Sequence, residues 1–163
     1  NALVSASLDS RSDAEVELDA ADYLLQHGAG RHVAIVGHFP FIERVREAAA
    51  ECWVLELHPR PGDLPAERAA EVLPQADVVA LTGTSLVNHT FDPLIEACRP
   101  DATVILLGAS APLTPVLFGR GVDIVSGTRV IDVPAVLLCS EPTADTDRIQ
   151  RTPRERRAQR LAR

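Results

Sequence analysis

Residues 32–57 read HVAIVGHFPFIERVREAAAECWVLEL. An apolar run (32–37) leads into a stretch with helical spacing (41–51), and a second apolar run follows (52–57). Continuous Val- and Ile-rich runs suit strands buried on both faces, where neither face carries polar side chains to water. A helix between two such strands makes a crossover, so the unit predicts a parallel sheet.

Working outward, three more runs repeat the pattern: DVVALTG (77–83), ATVILLG (102–108) and VDIVSG (122–127). Helical spacing recurs at 65–73, 91–98 and 129–138, and an earlier helix is expected over 12–27, with Ser12 as cap, Glu15 three residues later and Gly28 as its stop. That early helix should pack on one sheet face. The expected fold class is α/β, a doubly wound, mostly parallel five-stranded sheet with helices on both faces over residues 31–140. Residues 1–30 form an N-terminal segment and 141–163 an Arg-rich tail.

The chain has 163 residues, 16 basic against 23 acidic, a formal net charge of -7, and 46% hydrophobic residues, which fits one domain. All the basic residues are arginine, Met is absent, and residue 1 is Asn, so a fragment of a longer protein is expected. Neither a membrane span nor a signal peptide is written in the chain. Cys52, Cys98 and Cys139 make an odd set without CxxC spacing, which argues for a cytoplasmic location and for small buried apolar residues rather than a disulfide framework. Residues 148–163 carry 7 Arg and 1 acid on an otherwise acidic body. Without an aromatic to stack a base, that tail reads as solvated rather than as a nucleic-acid arm. A homo-oligomer is left open.

In doubly wound sheets ligands sit beyond the carboxyl ends of the strands, and there the loops of this chain are specialised. The first, Gly37-His38-Phe39-Pro40-Phe41, lacks the three glycines of the dinucleotide fingerprint. Pro40 is expected in the first turn of the next helix, and His38 is presented at the turn or caps it. Glu56 ends the second strand where an acid reaches a ribose hydroxyl in nucleotide-binding folds, which keeps a nucleoside ligand such as S-adenosylmethionine in view. TGTSLVNHT gathers Thr82, Gly83, Thr84, Ser85 and Asn88 just ahead of a helix, an arrangement suited to an anion or a polar ligand group. GASAPLTP adds Gly108, Ser110 and Thr114 after the fourth strand.

His38, His58 and His89 each follow a different strand and, with Glu56 or Asp63, could meet on one edge as ligands of a transition metal ion. No HxH or HExxH spacing supports them. No GxSxG elbow activates Ser85 or Ser110, which disfavours a hydrolase.

Together GHFPF, ELHPRPGDLP, ADVVALTGTSLVNHTFDPLI, LLGASAPLTPVLF and GVDIVSGTRVID resemble, over about residues 30–138, the Rossmann-like domain of the family named for "putative heavy-metal chelation". The resemblance implies that Gly37, His38 and Pro40, Glu56, the Thr82, Gly83, Thr84 and Asn88 group, Gly108, Ser110 and Pro112, and Gly127, Thr128 and Asp132 shape the site. It also implies a preceding domain that resembles the N-terminal domain of enolase, absent from this chain, with the site between the two. His89 stands where the family pattern tends to have Gly, and GASAP replaces the more usual GPSAP.

The leading expectation is a domain that chelates or handles a transition metal, or a metal-bearing small molecule, with His38 and Glu56 in direct contact. The rivals are an enzyme for a nucleoside-type ligand and a non-catalytic docking domain for the absent N-terminal part. Whether any bond is broken is not written in the sequence.

Overall fold

The expected strand–helix alternation is present in the computed structural model, which describes residues 19–128. In chain order the elements are α1 (Ala20–Gly28), β1 (His32–Val36), α2 (Ile42–Ala48), β2 (Glu51–Glu56), β3 (Leu64–Pro65), α3 (Ala69–Val72), β4 (Val78–Thr82), α4 (Phe91–Ala97), β5 (Thr103–Leu107) and β6 (Ile124–Ser126). Single 3-10 turns flank α3 on both sides, follow β4 and precede β6.

The sheet has six strands in the order β3-β2-β1-β4-β5-β6, and every pairing is parallel. The alternation of side chains along each strand divides the core in two. Val33, Ile35, Val54, Val78, Ala80, Ile105 and Leu107 join Ala21, Tyr23 and Leu24 of α1 and Ile42 and Val45 of α2 on one face. Ala34, Leu55, Val79, Leu81, Val104, Leu106 and Val125 join Val72 of α3 and Phe91 and Leu94 of α4 on the other. Each fully buried aliphatic side chain contributes about 1.5–3 kcal/mol, so the runs read as strands are also the main source of cohesion. The chain winds β1 to β3 in one direction and then returns to β4 on the other side of β1. The reversal falls between β1 and β4, and in folds of this kind ligands sit beyond the carboxyl ends of the strands at that switch point.

Five strands were expected, and the sixth, β3, is two residues long: Leu64 pairs with Leu55 and Pro65 with Glu56. An edge position tolerates Pro65, which has no N–H to give to a further strand. The helix expected over 41–51 stops at Ala48, and Glu51 opens β2 instead. The stretch 65–73 breaks into 3-10 Ala66–Arg68, α3 and 3-10 Leu73–Gln75, where Pro74 cannot continue an α-helix. Pro40 lies before the Phe41 cap of α2, not in the first turn of that helix. For α1 the observed cap is Asp19, whose carboxylate accepts from Ala21 N–H at 2.8 Å; Ser12, Glu15 and the helix expected over 129–138 lie outside the described residues.

Candidate functional site at the β1–β4 switch point

Gly37 leaves β1 with φ at 109°, and a Cβ built there would stand 3.0 Å from Thr82 Cβ and 3.3 Å from the Phe39 ring. The glycine thus lets the first loop close against the end of β4. Phe39 and Phe41 stack at 5.3 Å, bracketing Pro40.

Thr82 accepts from Thr84 N–H through Oγ1 at 3.3 Å and opens the 3-10 turn Gly83–Leu86. This turn, rather than an α-helix, carries TGTSL, and α4 begins only at Phe91. Thr84 Oγ1 meets Ser110 Oγ at 3.3 Å, so the loops after β4 and β5 bring two hydroxyls together. Two glycines permit the approach. A Cβ on Gly83 would stand 2.3 Å from Ala111 N, and one on Gly127 2.6 Å from Ala111 O, so the loops after β4, β5 and β6 interlock around residues 110–111. Gly108, with φ at 112°, donates to Ser126 O at 3.0 Å and keeps the third loop in step.

Ser85 and Asn88 are engaged in bracing the turns themselves. Ser85 is buried, and its hydroxyl donates to Thr82 O at 2.7 Å, bracing the turn. Asn88 accepts from Thr90 N–H at 3.2 Å and from the Thr90 hydroxyl at 2.7 Å, shaping a turn whose next residue, His89, has φ at 62°. Thr128 is exposed, and Asp132 lies outside the described residues.

The expected ligand set of His38, Glu56, His58 and His89 does not assemble: among the described residues, no three His, Cys, Asp or Glu side chains come together as a cation site. The reason is local. Glu56 turns its Oε2 back to accept from Leu57 N–H at 3.1 Å, while His58 and His89 are exposed on separate loops. His38 turns toward Asp63 instead, with Nδ1 3.4 Å from Oδ2. The Asp63 side chain is buried and accepts from Arg46 Nη2 at 3.0 Å and from Arg60 N–H at 3.1 Å. Arg46 is not a candidate in the sequence, and Asp63 is one only as the alternative to Glu56 beside the three histidines. The stiff Pro59-Arg60-Pro61-Gly62 segment, with Gly62 at φ 92°, was the available signal that Asp63 is held in one place.

Burial pushes the thiols of Cys52 and Cys98 up to about 11, with Arg46 lowering and Glu43 raising the first by smaller amounts. Both are free, and Cys139 lies outside the described residues. At the opposite end of the sheet Asp77 accepts from His32 N–H at 2.9 Å, which holds its carboxyl below the usual range, with Arg99 at 3.0 Å helping. No helix among the described residues is long and apolar enough to cross a membrane.

The family model described as "Putative heavy-metal chelation" matches residues 19–156. The chain belongs to this family, DUF364. An uncharacterized protein from Methanocaldococcus jannaschii is 30% identical over 126 residues, covering 74% of this chain and 49% of that protein. Two solved DUF364 structures are similar. A protein of unknown function from Desulfitobacterium hafniense shares 33% identity at a TM-score of 0.62, covering 69% of this chain and 45% of the other. A second, from Pyrococcus horikoshii, shares 21% identity at a TM-score of 0.73, covering 84% and 56%, and shows the same fold. The DUF364 chain spans about half the length of these relatives.

Proposed function

We propose that this DUF364 chain binds a small polar ligand over the switch point between β1 and β4, and that the metal in the family's description arrives as part of that ligand. The observation that carries the reading is the meeting of the Thr84 and Ser110 hydroxyls at 3.3 Å, on loops interlocked through Gly83 and Gly127. Hydroxyls and backbone amides suit the oxygen and nitrogen atoms of an organic ligand. A bare transition metal instead asks for several imidazole, thiolate or carboxylate donors on one centre. A chelated metal brings most of its donors with it and asks few of the protein.

A preceding domain resembling the N-terminal domain of enolase would supply the opposite wall of the pocket. The protein works in the cytoplasm, in keeping with three cysteines of unpaired spacing, and no nucleic acid or membrane is its partner. Glu56 supports a second reading. It ends β2, beside β1 in the 3-2-1-4-5-6 order, where an acid meets a ribose hydroxyl, so a nucleoside-type ligand such as S-adenosylmethionine is the rival occupant.

Thermal shift separates the two, because any ligand of the native state raises stability by mass action, about 2.7 kcal/mol at a hundredfold excess over Kd. Copper(II) and nickel(II) aminocarboxylate chelates are expected to raise Tm, and Thr84→Val combined with Ser110→Ala to abolish the rise. Stabilisation by adenosine or S-adenosylmethionine with none from the chelates would replace this reading by the second.

A further inference from the structure

Beside the hydroxyl cradle lies a cluster with one atom left over. Among the described residues, His38 Nδ1 is the buried side-chain nitrogen or oxygen without a hydrogen-bond partner. It stands 3.4 Å from Asp63 Oδ2, close enough for an ion pair but off the line of a hydrogen bond. Asp63 itself is 1% exposed and tightly held: Arg46 Nη2 donates to Oδ1 at 3.0 Å, and Arg60 N–H donates to Oδ2 at 3.1 Å. Arg46 is fixed in turn by Gly62 O at 3.2 Å and Glu43 Oε1 at 3.0 Å. The His38 side chain keeps 27% of its surface, and Nε2, unlike Nδ1, is not among the buried unpaired atoms of the described residues.

We infer that His38 Nε2 is the protein's donor to the metal of an incoming chelate, with Asp63 as its positioning residue and Arg46 as the group that fixes Asp63. The inference rests on the function proposed above. A metal takes the lone pair of a neutral imidazole, so coordination through Nε2 puts the ring proton on Nδ1. Histidines that bind metals give that second N–H to a carboxylate or carbonyl, which sets tautomer and ring orientation. Asp63 Oδ2 is the acceptor in reach, and a carboxylate oxygen accepts more than one bond. A buried nitrogen left without a partner is unfavourable. A small ring rotation on coordination completes the bond and removes that cost.

The location agrees with the cradle. His38 follows Gly37, which abuts Thr82, and the Phe39 ring lies 3.9 Å from the Cβ position of Gly108. His32 has a similar contact with Asp77, at 3.6 Å, but on the opposite end of the sheet and with 51% of its side chain exposed. The ligand class is therefore a complex of a borderline first-row metal, such as nickel, copper, cobalt or zinc, whose chelator leaves one position open to imidazole.

Two measurements on the 163-residue chain test this. Long-range nitrogen–proton NMR is expected to find neutral His38 with its proton on Nδ1, and to find it moved toward Nε2 in Asp63→Asn. Copper(II) iminodiacetate, which has open positions, is expected to broaden His38 resonances ahead of those of His32, His58 and His89, whereas copper(II) EDTA, which has none, leaves them sharp. Asp63→Asn should weaken the iminodiacetate complex about 10- to 100-fold. Both wild-type readings stand even if that variant does not fold. A proton on Nε2 in the wild type overturns the positioning role, whatever the chelates do to Tm. A proton on Nδ1 with His38 broadened no earlier than the exposed histidines overturns the donor role and the metal part of the proposed function together.

Discussion

Gly37 and Thr82 close the switch point between them: φ at Gly37 is 109°, and its missing Cβ leaves room that Thr82 Cβ borders at 3.0 Å. Replacing Gly37 with Ala combines a backbone conformation hostile to an L side chain with a collision at the crevice floor. The expected loss is about 2–4 kcal/mol, the sum of a left-handed strain and an overpacking cost. Urea denaturation should show it as a lower midpoint at unchanged slope. An unchanged midpoint would mean that the β1 loop and β4 do not meet as described.

That contact also marks where the sequence stops being readable. Five of the six strands were legible because each lies in a continuous apolar run, and burial on both faces demands such runs. Strand β3 was not, since Leu64–Pro65 has no run and exists only as an edge pairing with Leu55 and Glu56. The hydroxyl cluster was legible as a cluster, but not its division of labour. Ser85 looks like its neighbours in sequence, yet the 3-10 turn points it inward to Thr82 O while Thr84 meets Ser110. The pairing of His38 with Asp63 depends on how the segment after β2 folds back over α2, and no spacing rule encodes that.

His89 holds φ at 62°, a conformation that costs an L residue about 1–2 kcal/mol and glycine little. A glycine would hold this conformation without that cost. His89→Gly is expected to stabilise the protein by about 0.5–1 kcal/mol once the greater chain entropy of glycine is set against the relieved strain. A rise in the urea midpoint checks it. A fall would show that the imidazole makes a contact of its own, and would return His89 to the candidate ligands.

Arg46 neutralises a carboxylate that is 1% exposed. Removing one partner of such a pair strands the other as a buried charge, at about 3–5 kcal/mol. Arg46→Ala should fall near the low end, because the guanidinium is 27% exposed and water can enter where it stood. Adding Asp63→Asn to Arg46→Ala should restore part of the loss, since no charge is then stranded. A double-mutant cycle in urea measures the coupling. Strict additivity would mean that the two groups do not share the interaction their 3.0 Å contact implies.

Cys52 and Cys98, pushed up to about 11 by burial, should resist alkylation at pH 8. At that pH a thiol of this kind is about one part in a thousand thiolate, against about a tenth for one at the unperturbed 9.0, and the thiolate is the nucleophile. Reaction with iodoacetamide in a Cys139→Ser background, followed by mass spectrometry, isolates the two. The same shift has a thermodynamic consequence whose sign is fixed. Folded values above the unfolded reference of 9.0 mean that the native state holds its protons longer than the unfolded chain does. Stability is therefore full below pH 9 and declines as pH rises from 9 toward 11, where unfolding releases protons. Replacing both cysteines by alanine should flatten that alkaline decline while lowering stability at neutral pH through the small cavities left behind. If the two thiols instead alkylate at pH 8 as fast as free cysteine, neither sits in the half-buried packing between helix and sheet, and the alkaline decline should vanish with it.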